Sequence, residues 1–113
     1  MLLLSPFRQV PGTPCDQPVL LAVPDATQKF VAAFTVLEEL EATMMILGVI
    51  DYKIKEVTDV NDFVASIVEQ DCRVMLDPHL HGEKVRWTEL IPIDQDGLTP
   101  EQQISRNRRI QSD

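Results

Sequence analysis

The residues best suited to chemistry lie in the segment DPHLHGE. Histidines two apart on an extended segment point to the same side, so His79 and His81 with a carboxylate from Asp77 or Glu83 could supply three ligands to a catalytic metal ion. The chain has only 2 histidines, so no distant third one completes the set, and Gly82 favours a turn over a rigid strand. The sequence therefore favours exposed loop histidines and keeps a metal-binding protein or metal-dependent hydrolase as an alternative.

The chain offers weaker material for nucleophilic catalysis. Cys15 and Cys72 are the only cysteines, and either would need His79 or His81 as its base. Cys15 lies in a proline-rich stretch too mobile to hold a reacting geometry, and Cys72 is expected to pack as a small apolar residue at a helix end. We expect two reduced thiols, with a disulfide as the minor alternative. Because the sequence contains no GxGxxG, GxxxxGKS/T, GxSxG or HExxH motif, it predicts no enzyme activity and no cofactor.

Composition limits the class of protein. With 113 residues, of which 44% are hydrophobic and 25% charged, the chain has the size and content of one soluble globular domain. The formal net charge of −8 repels phosphate backbones and anionic lipid, so neither nucleic acid nor membrane is expected as a partner. The apolar residues 1–4 are too few for a signal sequence or a membrane span, and a cytoplasmic location is therefore expected.

The first half of the chain predicts a hairpin followed by a helix. Residues 5–18 hold four prolines and no usable period, which predicts an irregular arm. The apolar residues 19–23 and residues 29–34 predict two strands. Thr35 is placed to cap the helix, with Glu38 reaching back to the backbone N–H of the cap. The apolar stripe of this helix comprises Leu37, Leu40, Met44 and Leu47, and its expected stop is Gly48.

The second half predicts a strand–helix–strand order again. Strand 73–76 is expected to end at Asp77-Pro78, because proline cannot donate to a ladder, and Trp87 is expected to point inward from the last strand. The elements expected in this half are a strand at 52–57, an amphipathic helix capped by Asp59, strands at 73–76 and 84–90, and a loop over 77–83.

A third helix is predicted near the C-terminus. Thr99 is a capping threonine, Pro100 takes the first helical position and Gln102 the third. The helix is expected to reach about Ile110 and has only Ile104 and Ile110 as sizeable apolar residues, so we expect it to dock weakly or to wait for a partner.

These elements predict an α/β (or α+β) fold, in which a single small domain has a mixed sheet of about four to five strands, two packed helices and a C-terminal helix. The expected organisation is a proline-rich N-terminal arm at 1–17, the α/β domain at 18–92 and a C-terminal helix or tail at 93–113. Asp94 and Asp96 stand beside a glycine and are expected to be turn residues rather than an acid–base pair.

Two local signatures resemble the SseB-like family, named for a bacterial protein linked to enhanced serine sensitivity. One is an apolar strand ending in AFT at residues 33–35, at the entrance to an acidic helix, and the other is VMLDP at residues 74–78, after the second helix. Family members tend to carry asparagine where this chain has Asp77, and a small residue where it has His79. The resemblance covers about 18–90 and implies a compact α/β accessory or interaction module without established catalytic residues.

The function predicted from the sequence is that of a non-enzymatic accessory or adaptor protein acting through protein–protein contacts. Its partner is expected to be another protein or a peptide segment of one, with a homodimer left open. The alternative is an assembly factor or chaperone that binds a short peptide of its client by strand addition or in a helix groove. The arginines of the third helix would meet an acidic surface. The expected contact residues are Phe7, Trp87, Ile104, Arg106, Arg108, Arg109 and Ile110.

Overall fold

Four strands open the chain, and strands and helices then alternate up to a final pair of strands and a last helix. The computed structural model describes residues 3–23, 26–81 and 84–111. The elements in these ranges are β1 (Leu3–Gln9), β2 (Asp16–Pro18), β3 (Leu20–Leu21), β4 (Phe30–Ala33), α1 (Leu37–Leu47), β5 (Lys53–Val57), α2 (Val60–Glu69), β6 (Arg73–His81), β7 (Lys84–Leu90) and α3 (Pro100–Gln111). They confirm the predicted α/β class in a single small domain.

The strands form two sheets. β4 pairs with β6 in parallel, and β3 and β7 pair antiparallel at the two sides, so this four-stranded sheet is mixed and has the order β3-β4-β6-β7. The other sheet is antiparallel with the order β2-β1-β5. Leu4 and Phe34 join the sheets, because the N–H of each donates to the carbonyl of the other, at 2.8 and 2.7 Å.

The prediction of an irregular arm over residues 5–18 is wrong, since β1 and β2 lie there and β1 is the middle strand of its sheet. Leu4 directs its N–H away from β5 and toward Phe34. Alternate residues of a strand point their N–H groups to the same side, so the N–H that Pro6 lacks would also point away from β5. On this side, the carbonyl of Pro6 accepts the N–H of Val19 at 3.0 Å. The ladder with β5 therefore loses no hydrogen bond to the proline.

Apolar side chains pack on both faces of the four-stranded sheet. Val31 of β4 belongs to the core under α2 and α3, whereas its neighbour Ala32 belongs to the core under α1, as the alternation of a strand requires. The helical side chains in these two cores are Val60, Val64 and Ile67 from α2 and Ile104 from α3 in the first, and Leu40 and Met44 from α1 in the second.

α1 begins at Leu37 with Val36 as its N-cap, one residue beyond the predicted cap. Val36 makes no side-chain capping bond, so the predicted capping box of Thr35 and Glu38 is wrong. The predicted stop at Gly48 is confirmed, because this glycine has φ 73° and its N–H donates to two carbonyls of the last turn. Of the predicted apolar stripe, the buried members are Leu40 and Met44 and the exposed ones are Leu37 and Leu47.

α2 and α3 begin where the sequence predicts. Asp59 is the N-cap of α2, and its carboxylate accepts the N–H of Asp62 at 3.0 Å. α3 starts at Pro100, and the side-chain oxygen of Gln102 accepts the N–H of Thr99 at 2.9 Å, which is the reciprocal half of a capping box. Local signals were sufficient at both helix starts.

β6 continues past its predicted stop at Asp77-Pro78. The predicted loop over 77–83 is therefore replaced in part by a hairpin between β6 and β7, and the strand predicted over 84–90 is confirmed as β7. Asp77 has φ 48°, and the register of the pairing shifts just after Leu76, as at a β-bulge. Aspartate tolerates a left-handed backbone better than most residues, so the ladder is interrupted without ending the strand.

Candidate functional site

A hydrogen-bonded pair joins the start of α1 to the bulge in β6. The carboxylate of Asp77 accepts the backbone N–H and the hydroxyl of Thr35, each at 2.8 Å. The pair brings together the two segments that carry the resemblance to the SseB-like family. It lies at the carboxyl ends of the parallel strands β4 and β6, which is where open α/β sheets commonly bind ligands.

The described part of the chain adds no support for a metal site at the histidine segment. Asp77 uses both carboxylate oxygens on Thr35, and His79 is exposed with its Nδ1 3.1 Å from the carbonyl oxygen of Asp77. The side chain of His81 and the whole of Glu83 lie outside the described residues. Within residues 3–23, 26–81 and 84–111, no three His, Cys, Asp or Glu side chains are grouped to hold a metal ion.

Two of the predicted contact residues on α3 are used inside the protein. Ile104 is 1% exposed and packs in the core with α2, so it is not available to a partner. Nη1 of Arg106 lies 3.1 Å from a carboxylate oxygen of Asp94 and 3.1 Å from one of Asp96. The loop before α3 thus supplies the acidic surface that was expected from a partner. The predicted contacts whose side chains lie outside the described residues are Arg108, Arg109 and Ile110.

Asp94 organises this loop as a turn residue, as predicted. Its Oδ1 accepts the N–H of Asp96 and the N–H of Leu98, each at 2.9 Å. The hydrogen bond from Leu98 is the main cause that lowers the pKa of Asp94 below its ordinary 3.8. Burial raises this pKa, whereas the N–H of Asp96 and the charge of Arg106 lower it further. A carboxylate that is charged at neutral pH therefore fastens the loop to α3.

Gln103 is a second anchor of α3 and is buried. Its Nε2 donates to the carbonyls of Ile91 and Leu98, at 2.7 and 3.0 Å, and its Oε1 accepts the N–H of Ile91 at 3.3 Å. Buried polar side chains are retained where such partners satisfy them. With Gln103 bonded and Ile104 in the core, α3 packs on the domain without a partner, which contradicts the prediction that it waits for one. The prediction that it docks weakly stays a prediction.

Phe7 and Trp87 are both half-buried. Phe7 lies on β1, with the ammonium nitrogen of Lys55 4.8 Å from its ring centroid. Trp87 points toward the core under α1, as predicted, and meets Phe30 edge to face with the ring centroids 5.6 Å apart. Part of Trp87 also lines two cavities, so this side chain belongs to the core and to the accessible surface.

The first cavity, here called the apolar groove, has a volume of about 300 Å³. It is lined by the C-terminal half of α1, by residues of β3 and by the β6–β7 hairpin. The last turns of α1 expose large apolar side chains, of which Ile46, 62% exposed, lines the groove, whereas Met45, 79% exposed, and Ile50 beyond the helix, 92% exposed, do not. The apolar side chains that line the groove include Leu20, Leu21, Ile46, Leu47, Val85 and Trp87.

The second cavity, here called the polar cavity, has a volume of about 460 Å³ and lies beside the Thr35–Asp77 pair. The apolar groove adjoins it, because His79 and Trp87 line both. It is bounded by the start of α1, by β6 and β7 and by α3. The side chains that line it include Glu39, Leu76, Arg86, Thr88, Ile104 and Asn107.

Neither cavity was predicted from the sequence. One signal for the apolar groove was present, since residues 44–47 read MMIL and such a run gives a helix apolar side chains on more than one face. Only Met44 of this run is buried. The polar cavity gave no local signal, because Thr35, Arg86 and Asn107 are far apart in sequence and only the tertiary fold brings them to one place.

Both thiols are free in the structure, as predicted. Cys15 is exposed. Cys72 is half-buried and packs against the core under α2, with its Sγ 3.6 Å from the carbonyl oxygen of Gln70. Neither thiol lines the polar cavity or the apolar groove, so neither is placed to act there.

No protein-family model, curated protein or solved structure matches this chain. The resemblance to the SseB-like family therefore stays a prediction. Within the described ranges, no helix is long and apolar enough to cross a membrane.

Proposed function

We propose that this protein is a non-enzymatic accessory or adaptor protein that binds a segment of another protein in the apolar groove. A cytoplasmic location belongs to the same proposal. The observation that carries it is that large apolar side chains left exposed line this groove, among them Ile46 at 62%, Leu20 at 52% and Leu47 at 49% exposed. Contiguous exposed apolar surface of this kind commonly marks a site of interaction with another protein.

The shape of this surface fits a peptide segment. The apolar groove runs from α1 to β3 and the β6–β7 hairpin, and it offers Leu20, Ile46 and Val85 as accessible contacts. Grooves lined in this way bind the apolar side chains of a helical or extended segment. Trp87 at the junction with the polar cavity supplies a large, half-buried ring, the type of residue that often dominates binding energy.

Charge indicates what flanks the apolar residues of the partner. Glu38, Glu39 and Glu41 on α1 are exposed, and the chain has a net charge of −8. A segment with lysine or arginine beside its apolar side chains is attracted to this surface and oriented on it. A second copy of the chain would bring another −8 to the interface, so the proposed occupant is a different protein with a basic, apolar segment.

The proposal is tested with Ile46→Asp, which places a charge in the apolar groove. Ile93→Asp is the matched control, because Ile93 is 61% exposed against 62% for Ile46 and does not line the groove. Capture from an extract of the native cells with wild type and both variants, followed by mass spectrometry, identifies candidate partners. Each candidate is then purified and its affinity for the three proteins is measured.

We expect wild type and Ile93→Asp to bind one purified partner alike, and Ile46→Asp to bind it at least about tenfold more weakly, because a desolvated charge costs more than 1.4 kcal/mol. Equal affinity of all three proteins contradicts the proposal. Self-association in sedimentation that Ile46→Asp abolishes, without any other partner, assigns the groove to a second copy instead.

A chaperone or assembly factor is the second candidate, and one observation favours it. β3 lines the apolar groove and is the outermost strand on its side of the four-stranded sheet, which suits strand addition by a client peptide. A library of random peptides displayed on phage separates the candidates. Enrichment of short apolar peptides that bind wild type and Ile93→Asp but not Ile46→Asp supports the chaperone, whereas binding that requires the folded partner supports the adaptor.

A further inference from the structure

We infer that the polar cavity binds a small monocarboxylate whose carboxylate meets Arg86 and whose apolar body packs against Leu76 and Ile104. The cavity lies at the carboxyl ends of β4 and β6, next to the Thr35–Asp77 pair. Its volume of about 460 Å³ falls within the range of about 300–1,000 Å³ that is typical of small-molecule sites. The inference is independent of the proposed function, since it concerns a different cavity and a different class of ligand.

Two polar side chains of the cavity, Arg86 and Asn107, offer uncommitted donors. Arg86 takes part in no ion pair among the residues that the structure describes. Asn107 carries a buried Nδ2 that has no hydrogen-bond acceptor within the same ranges. A buried amide without an acceptor costs free energy, so an acceptor brought by a ligand would relieve that cost. A planar carboxylate matches the two parallel N–H groups that a guanidinium presents.

The acidic groups of the cavity restrict the charge of the ligand. Asp77 has both oxygens occupied by Thr35, and the exposed Glu39 stands at the same cavity. These two negative charges repel a doubly charged phosphate more strongly than a singly charged carboxylate. The site therefore fits an anion with one charge that is directed at Arg86.

The remaining wall of the cavity is apolar. Leu76 and Ile104 are almost fully buried and line it. A hydrocarbon body can pack on these two side chains while the carboxylate reaches Arg86. The fit therefore requires a ligand with an apolar body at one end and a carboxylate at the other.

The test uses benzoate as the probe and the fluorescence of Trp87 as the signal, because Trp87 is the only tryptophan in the chain. Benzamide is the neutral probe of the same shape, and inorganic phosphate is the anion without an apolar body. All titrations are made at constant ionic strength.

Arg86→Gln removes the proposed anion contact, and Lys84→Gln is the matched control, because Lys84 is exposed on the same strand and does not line the cavity. Asn107→Leu is the second variant, and circular dichroism verifies that each variant is folded.

We expect wild type and Lys84→Gln to bind benzoate saturably with the same Kd, and Arg86→Gln to bind it at least tenfold more weakly. Benzamide and phosphate are expected to change the Trp87 fluorescence of wild type less than benzoate does. Asn107→Leu is also expected to bind benzoate more weakly. No saturable response to benzoate, an equal response to benzamide, or equal binding by Arg86→Gln and Lys84→Gln overturns the inference. Phosphate binding tighter than benzoate binding overturns the choice of a monocarboxylate.

Discussion

The carboxylate of Asp77 accepts two hydrogen bonds from Thr35, one from its backbone N–H and one from its hydroxyl, across a separation of 42 residues in the sequence. The threonine that local sequence rules assign to a helix cap is therefore bound by a residue from a different strand. Since the pair is partly buried and one partner is charged, its bonds are stronger than neutral surface bonds. It fixes the start of α1 against the bulge in β6.

Asp77→Ala is expected to lower the free energy of unfolding by about 2–4 kcal/mol, because it removes both bonds and puts alanine at a left-handed φ. Asp77→Asn retains an acceptor oxygen and tolerates this backbone conformation, so we expect less than half the loss. The measurement is urea unfolding at neutral pH. Little or no loss in either variant would show that the bonds to Thr35 contribute little.

Ile104→Ala is expected to destabilise the protein by about 2–5 kcal/mol, because it leaves a cavity in the core shared by α2 and α3. Ile93→Ala is the control, since this exposed side chain should change stability by no more than about 0.5 kcal/mol. Thermal and urea unfolding measure both variants. If Ile104→Ala were as mild as Ile93→Ala, α3 would not be docked as the structure shows.

Gln103→Ala is expected to cost about 1–3 kcal/mol, because it leaves the partly buried N–H and carbonyl of Ile91 without their side-chain partner. Gln102→Ala removes only the exposed acceptor for the N–H of Thr99, and we expect a loss of about 0.5–1 kcal/mol. Hydrogen exchange of the Ile91 amide is a second readout, which should accelerate in Gln103→Ala alone. An unchanged exchange rate would contradict the role of Gln103.

Asp94→Asn is expected to reduce stability at neutral pH and to remove part of the loss of stability in acid. The folded-state pKa of Asp94 is lowered, so its carboxylate contributes stability above its ordinary pKa of 3.8, and this contribution disappears as the pH falls through the lower folded-state value. Urea midpoints measured from neutral pH to the acid side of 3.8 should therefore converge for wild type and variant.

Asp96→Asn is the control for this pH dependence, because Asp96 also contacts Arg106 but its side chain is 65% exposed. An exposed ion pair contributes about 0–1 kcal/mol, so the pH profile of Asp96→Asn should stay close to that of wild type. A profile of Asp94→Asn that runs parallel to wild type over the whole range would contradict the prediction.

The sequence predicted those elements best whose signals are local. The cap at Asp59 and the apolar stripe behind it are set within one helix, and α2 forms there. The start of α3 at Pro100 is likewise contained in four consecutive residues. By contrast, Thr35 carried an equally good local signal for a helix cap, and it failed. The backbone N–H of Thr35, which the capping box assigns to Glu38, donates to the carboxylate of Asp77 instead. Only the tertiary fold creates this contact.

The first strand and the site could not be read from local patterns. Pro6 argues against a strand in general, and it is accommodated only because its missing N–H faces away from β5, which depends on the bridge between Leu4 and Phe34. The polar cavity depends in the same way on α3 being held against the sheet by Gln103. Long-range contacts therefore determine what the sequence analysis missed.

The order of strand pairing links the two sheets along the chain. β1 and β4 precede α1, whereas their partners β5 and β6 follow it. A cut in the connection between α1 and β5 therefore divides both sheets: β1, β4 and β6 each lose one of their two partners, and β5 loses its only one. Neither fragment can complete a sheet alone, but the two fragments together contain all strands of both sheets. The connection between α1 and β5 is therefore the natural place to divide the protein into two complementing halves.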